Sequence, residues 1–115
     1  MPQQPSDPED VKIITLARSV RARAGTRSGA AVRDTDGRTY AAADVDLPSL
    51  RLSALQLAVA MAASSGVQGL EAVAVVADDH SHEPVGVDTV RDLGGVGRRI
   101  YHADASGRVV DVLTA

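Results

Sequence analysis

The chain has no cysteine, which excludes disulfides, thiolate metal sites, iron–sulfur clusters and cysteine nucleophiles. It has no Phe and no Trp, and Tyr40 and Tyr101 are its only aromatic residues. Base-stacking platforms for single-stranded nucleic acid are built from such rings, so that class of function is poorly served. The core has to be filled by Val, Leu, Ile and Ala instead. Lys12 is the single lysine, against eleven arginines. No apolar run approaches the roughly 18 residues of a membrane span. Positive charge is not in excess either: the formal net charge is −3, so neither nucleic acid nor an anionic lipid surface is expected as a partner. What is present, 44% hydrophobic residues in a chain of 115, fits one globular domain. A domain of that size buries roughly 65% of its unfolded surface without covalent staples. The polar, proline-bearing stretch Met1 to Asp10 does not look like a signal peptide, and a cytoplasmic location is expected.

Residues 1–7 read as a disordered lead-in to a single domain over 8–115. A helix starts with Asp7 as cap and Pro8 in its first position, with Ser6-x-x-Glu9 as an alternative capping box. Ile13, Leu16, Ala17, Val20 and Ala24 repeat at helical spacing, and Gly25 ends the helix. Gly29 to Arg33 and Arg38 to Ala43 read as two strands joined at Asp36-Gly37. Asp44 to Ser49 reads as a loop, and Leu50 to Ser64 as a buried helix, apolar nearly all round. The unbroken Val/Ala run Leu70 to Ala77 predicts a central strand covered on both faces. A charged loop at 78–83 follows. Val87 to Leu93 predicts a short helix stopped by Gly94-Gly95, and Arg99 to Ala103 and Arg108 to Leu113 two final strands. The order α-β-β-α-β-α-β-β predicts a three-layer α-β-α fold on a mixed five-stranded sheet. The first two strands should be antiparallel, and the crossovers through the later helices should give parallel neighbours.

Several local strings, in this order, resemble the cytidine deaminase superfamily. Ser28-Gly29-Ala30-Ala31-Val32 stands where the small nucleoside deaminases read V-G-A-A-L. Asp36-Gly37-Arg38-Thr39-Tyr40 is similar to their D-G-x-x-Y-like strand. Asp44-Val45-Asp46 stands at N-V-E, Ser53-Ala54-Leu55 at C-A-E, and Pro84-Val85-Gly86-Val87-Asp88 at P-C-G-x-C. The similarity runs from about residue 9 to 113. The resemblance implies a zinc ion on three Cys/His ligands and a Glu that moves protons. At those ligand positions this chain has Ser53, Val85 and Asp88, and at the Glu position Leu55. Valine is no ligand, a neutral serine hydroxyl is a poor one, and leucine moves no proton. The expectation is therefore a deaminase fold without zinc and without catalytic residues, acting by binding a partner protein or a nucleoside-like ligand. Two further readings stand beside it: a divergent cytidine or nucleoside deaminase with a rebuilt or absent metal site, and a structural subunit pairing with an active paralogue.

Other residues carry weaker signals. Asp44 and Asp46 stand where the family holds the substrate ribose; they also read as turn formers before the second helix. His80 and His82, with Asp88, are the candidates for a divalent metal, although His in a short polar loop is usually solvated. His102 reads as a partly exposed structural histidine. Ser53 reads as a small residue permitting close packing rather than as a nucleophile. Gly94 to Arg99 lacks the context of a phosphate loop and reads as a turn into a strand. Arg18 and Arg21 share one side of the first helix, read as a solvated face. The resemblance and the apolar 50–64 segment together predict a homo-oligomer, dimer or tetramer.

Overall fold

The computed structural model describes residues 4–115, so the lead-in reading lies outside the described residues at 1–3. Further on, the Gln4 side chain both donates to Val109 O (2.9 Å) and accepts from Val109 N (2.8 Å). Helix α1 (Pro8–Ala24) starts as its sequence dictates: Asp7 accepts a hydrogen bond from Glu9 N and Pro8 follows as the first helical residue. It ends where Gly25 takes φ 70°, a left-handed conformation that costs glycine little. Strands β1 (Ser28–Asp34) and β2 (Thr39–Ala43) form an antiparallel hairpin. Buried Asp34 organises its turn: Oδ1 accepts from the N–H groups of Asp36 and Arg38, and Oδ2 from the Tyr40 hydroxyl.

The segment 44–53 departs from the sequence reading. It is not a loop leading into a helix at Leu50. Strands β3 (Val45–Leu47) and β4 (Leu50–Leu52) form a separate two-stranded sheet, and helix α2 (Ala54–Ser64) begins four residues later than expected. Leu50-Arg51-Leu52 has period two rather than 3.6. Ser53 fixes the start of α2 through a complete capping box: its hydroxyl accepts from Gln56 N, and the Gln56 side chain accepts from Ser53 N. The all-round apolar character of 50–64 therefore mixes two elements. α2 itself buries Ala54, Leu55, Ala58, Val59 and Ala62, and turns Ala60, Met61 and Ala63 outward.

Strand β5 (Leu70–Ala77), helix α3 (Val87–Gly94), and strands β6 (Arg99–Ala103) and β7 (Val109–Thr114) complete the chain. The main sheet is mixed and five-stranded, in the order β2-β1-β5-β6-β7. The crossover through α3 leaves β5 and β6 parallel, as expected. The crossover through α2 does not give parallel neighbours: it carries the chain past β1, so β5 pairs with β1 antiparallel. Ile13, Ile14 and Ala17 of α1 pack on one face, against Ala31, Ala74, Val76 and Tyr101. α2 and α3 cover the other, against Val32, Val73, Val75 and Ile100. These are the three layers the element order implies. With few large side chains, the layers approach closely: a Cβ at Gly29 would collide with the carbonyl oxygen of Ala17 and the Cβ of Arg21. This gives a packing reason for the glycine of the Gly29-Ala30-Ala31 string.

Candidate functional site

An open cleft of about 1350 Å³ lies where β5 and β6 end, β1 begins and the N-terminus of α2 points outward. Crevices outside the carboxyl ends of strands are where α/β sheets hold ligands. Leu55, Val75 and His102 lie along its lining, with Asp44 and Ser53 on one side and residues of the 78–85 loop on the other.

Asp44 is the joint of the frame. Its Oδ2 accepts from Ser28 N (2.8 Å), and its Oδ1 accepts from Ser28 Oγ (2.7 Å) and Ala54 N (2.8 Å). One carboxylate thus ties the start of β1 and the end of β2 to the first turn of α2, where the helix dipole favours a negative charge. Both oxygens are engaged inside the protein. Asp46 is differently placed. It pairs with Arg51 at 3.1 Å across the β3–β4 ladder, with both side chains more than three-quarters exposed. An exposed pair of this kind contributes at most about 1 kcal/mol, so its oxygens exchange readily for another partner. The two aspartates therefore do not act together on one point.

Ser53, Leu55 and Val85 are brought together, and Asp88 is not. The Ser53 hydroxyl accepts from Gln56 N at 3.0 Å and donates to the carbonyl of Val85 at 2.6 Å. Leu55 is 1% exposed, whereas the Val85 side chain turns to solvent at 64%. Gly86 lies directly on the first turn of α2: a Cβ there would sit 3.1 Å from Leu55 Cγ and 3.2 Å from Gln56 N. Asp88 is exposed in the first turn of α3, outside the cleft, and accepts from Thr89 N. The two loop histidines diverge. His82 lines the cleft, while the His80 ring meets the ring of His102 edge-on at 4.6 Å and 76°. Among the described residues no three His, Asp or Glu side chains are placed to hold a metal ion. The zinc that the resemblance implies does not fit these residues. At the corresponding positions stand a hydroxyl already committed to two partners, two aliphatic side chains and an exposed carboxylate outside the cleft lining.

Two features of the site escape the sequence reading. His102 is not partly exposed; it is buried at 3% and lines the cleft. Its position at the end of a strand parallel to β5 is the signal that finds it. Arg21 is no solvated charge: it donates to Asp78 Oδ2 (2.8 Å) and to the Arg27 carbonyl (2.9 Å), tying α1 to the loop after β5. Removing the Ser53 hydroxyl tests how much this end of the cleft depends on one cap. Ser53→Ala should lower stability by about 1 kcal/mol, the usual loss of an N-cap, in urea unfolding. A value indistinguishable from zero would show that Gln56 and Asp44 hold the helix start without the Ser53 hydroxyl.

The cytidine deaminase-like family model matches residues 6–107. Among curated proteins no relative matches. Similar solved structures include three cytidine deaminases. That from Burkholderia pseudomallei is 23% identical over 90% of each chain, with a TM-score of 0.77. That from Mycobacterium leprae is 22% identical over 90% of each chain, with a TM-score of 0.67. That from Bacillus anthracis is 15% identical, over 91% of this chain and 82% of its own, with a TM-score of 0.65. At these identities the structures speak for a shared fold. The family match itself runs from the start of α1 through β6, across every element that builds the cleft, and the chain belongs to the cytidine deaminase-like family.

Proposed function

We propose that the chain is a non-catalytic member of its family, a homo-oligomer that binds a nucleoside-like ligand in the cleft without transforming it. The observation that carries this reading is the state of the α2 N-terminus. Ser53 is used as a cap and as a tie to Val85, and Leu55 is packed into the core, yet the cleft beside them stays open. Binding volume is kept although the position that moves protons in the family holds Leu55 and the positions that ligate its metal hold Ser53, Val85 and Asp88. Asp46 is the acceptor available to ligand hydroxyls. The oligomer reading is supported by Leu47 and Leu50 at the β3–β4 turn and by Val85, all three exposed by about half or more; association would cover them.

The test combines calorimetric titration of the protein with cytidine and chromatographic assay of the same mixtures for uridine. Saturable binding with no uridine is expected, and Asp46→Ala should weaken binding about tenfold, the loss of one charge-assisted hydrogen bond. Uridine formation that scales with protein and survives repurification would overturn the proposal, as would one metal per chain in elemental mass spectrometry of untagged protein. If neither cytidine nor another nucleoside binds, the ligand reading gives way to a partner protein. Light scattering at micromolar concentration should show a dimer or tetramer, and a monomer removes that part.

A further inference from the structure

Residues 79–84 form one wall of the cleft between two anchors. At one end Asp78 is paired with Arg21 at 2.8 Å; at the other the Val85 carbonyl accepts from Ser53 Oγ at 2.6 Å. Between these anchors no hydrogen bond among the described residues joins the span to the rest of the chain. Asp79 accepts only from the N–H and hydroxyl of Ser81, inside the span. The specific contact inward is His80, set edge-on against His102 of β6. Each ring keeps a buried nitrogen without a hydrogen-bond partner, Nδ1 of His80 and Nε2 of His102. Such a pair tolerates neutral rings far better than charged ones, because a buried imidazolium needs both of its N–H groups satisfied and a second positive ring repels it.

We propose that the contact between His80 and His102 is a proton-operated latch: with the His102 ring neutral the 79–84 span lies against β6, and protonation of His102 releases the span and opens that wall of the cleft. The charged groups around the pair come from three places. Asp79 lies next to His80 in the span, Asp111 stands opposite His102 on β7, and Asp104 follows β6 and acts on His80. The β5 residue paired with His102 is the uncharged Val75. Asp79 and Asp104 are themselves occupied, by Ser81 and by Ser106 and Arg108. Burial, and then the neighbouring His80, hold His102 below the ordinary imidazole range despite these carboxylates. The sign follows from linkage. The closed form takes up the proton less readily than a released one, so the closed population is full above about pH 6.5 and falls as pH drops below that value.

The test is NMR of the full chain between pH 8 and 5, without any ligand, so its outcome is independent of whether a nucleoside binds. The His102 ring signal should titrate below about pH 6.5. The amides of 79–84 should follow the same midpoint and become mobile on the nanosecond scale at pH 5, while those of β5 stay fixed. His80→Phe keeps the edge-on contact and carries no charge, so its span should remain ordered at pH 5; His102→Phe should behave alike. A wild-type span that stays ordered to pH 5 overturns the latch, and that measurement needs no variant to fold. A titration of 79–84 unchanged in both variants also overturns it, and assigns the effect to His82.

Discussion

Replacing Asp10 with alanine is expected to cost the fold about 3–5 kcal/mol, the penalty for leaving one partner of a buried ion pair alone. Asp10 lies in the first turn of α1, where the helix dipole adds a little to its stability. Its Oδ1 accepts from Arg33 Nη2 at 2.9 Å and its Oδ2 from the Tyr101 hydroxyl at 2.7 Å. The carboxylate therefore joins α1 to β1 and β6. Arg33 also donates from Nε to Glu71, but Glu71 is 44% exposed and its pull is screened by solvent. Arg33 Nη1 is already buried without a partner. Without Asp10 the guanidinium would be buried on the strength of one wet carboxylate. The Tyr101 hydroxyl would keep only Arg99 Nη1, at 3.2 Å. Burial, then the bond to Asp10, keeps that phenol protonated well above neutrality, so it is a donor throughout.

The measurement is urea unfolding of Asp10→Ala, Arg33→Met and the double variant. The double variant should recover much of the loss, because removing both charges also removes their desolvation cost. A single-variant loss below about 1 kcal/mol would place this pair among ordinary surface pairs. None of Asp10, Arg33 and Tyr101 lines the cleft, so the effect reports on the frame rather than on ligand contacts.

That network illustrates what the sequence reveals and what it hides. Asp7, Pro8 and Gly25 announce α1 because capping is a local matter of a few neighbouring atoms. Leu70 to Ala77 announces a central strand because a strand buried on both faces can carry nothing but apolar residues. The shared motifs likewise single out Ser53-Ala54-Leu55 and the Pro84–Gly86 loop, which the fold does bring together. Asp10 and Arg33, by contrast, look like any charged residues of a helix and a strand. Their partnership spans 23 positions and exists only once α1 lies on the sheet.

The misreading of 44–53 has a different cause. Leu50, Leu52, Leu55 and Leu57 form one apolar string in which period two passes into a helix, and the string by itself does not say where. The Ser53–Gln56 capping box does say where, and it was legible. The antiparallel pairing of β5 with β1 was not legible. Strand direction depends on which neighbour a crossover reaches, and nothing local to β5 records that α2 carries the chain past β1. His102 is a different case: the expected parallel pairing of β5 with β6 places it at the cleft, but its burial there comes from the packing of the 79–84 span, which no local pattern records.

Leu55→Ala should cost about 2–5 kcal/mol, from the lost burial of the side chain and the cavity it leaves. Leu55→Met, close in volume, should cost less than about 1.5 kcal/mol. The larger loss depends on the surroundings being unable to close in. The backbone of α2 is pinned at this turn by the capping box and by the bond from Ala54 N to Asp44, and Gly86 packs on the side chain from above. A turn fixed in this way relaxes little, which places the cost toward the upper part of the range. The comparison bears directly on the site. Leu55 holds the position at which the family resemblance calls for a proton-moving carboxylate, and it lies in the core while also bordering the cleft. A large loss means that this position has been given over to packing, in keeping with a cleft that binds and does not react. A loss below about 1 kcal/mol in thermal or urea unfolding would mean that water from the cleft fills the space at little cost. The position would then belong to the cleft rather than to the core, and the reading of Leu55 as a residue given over to packing would fall.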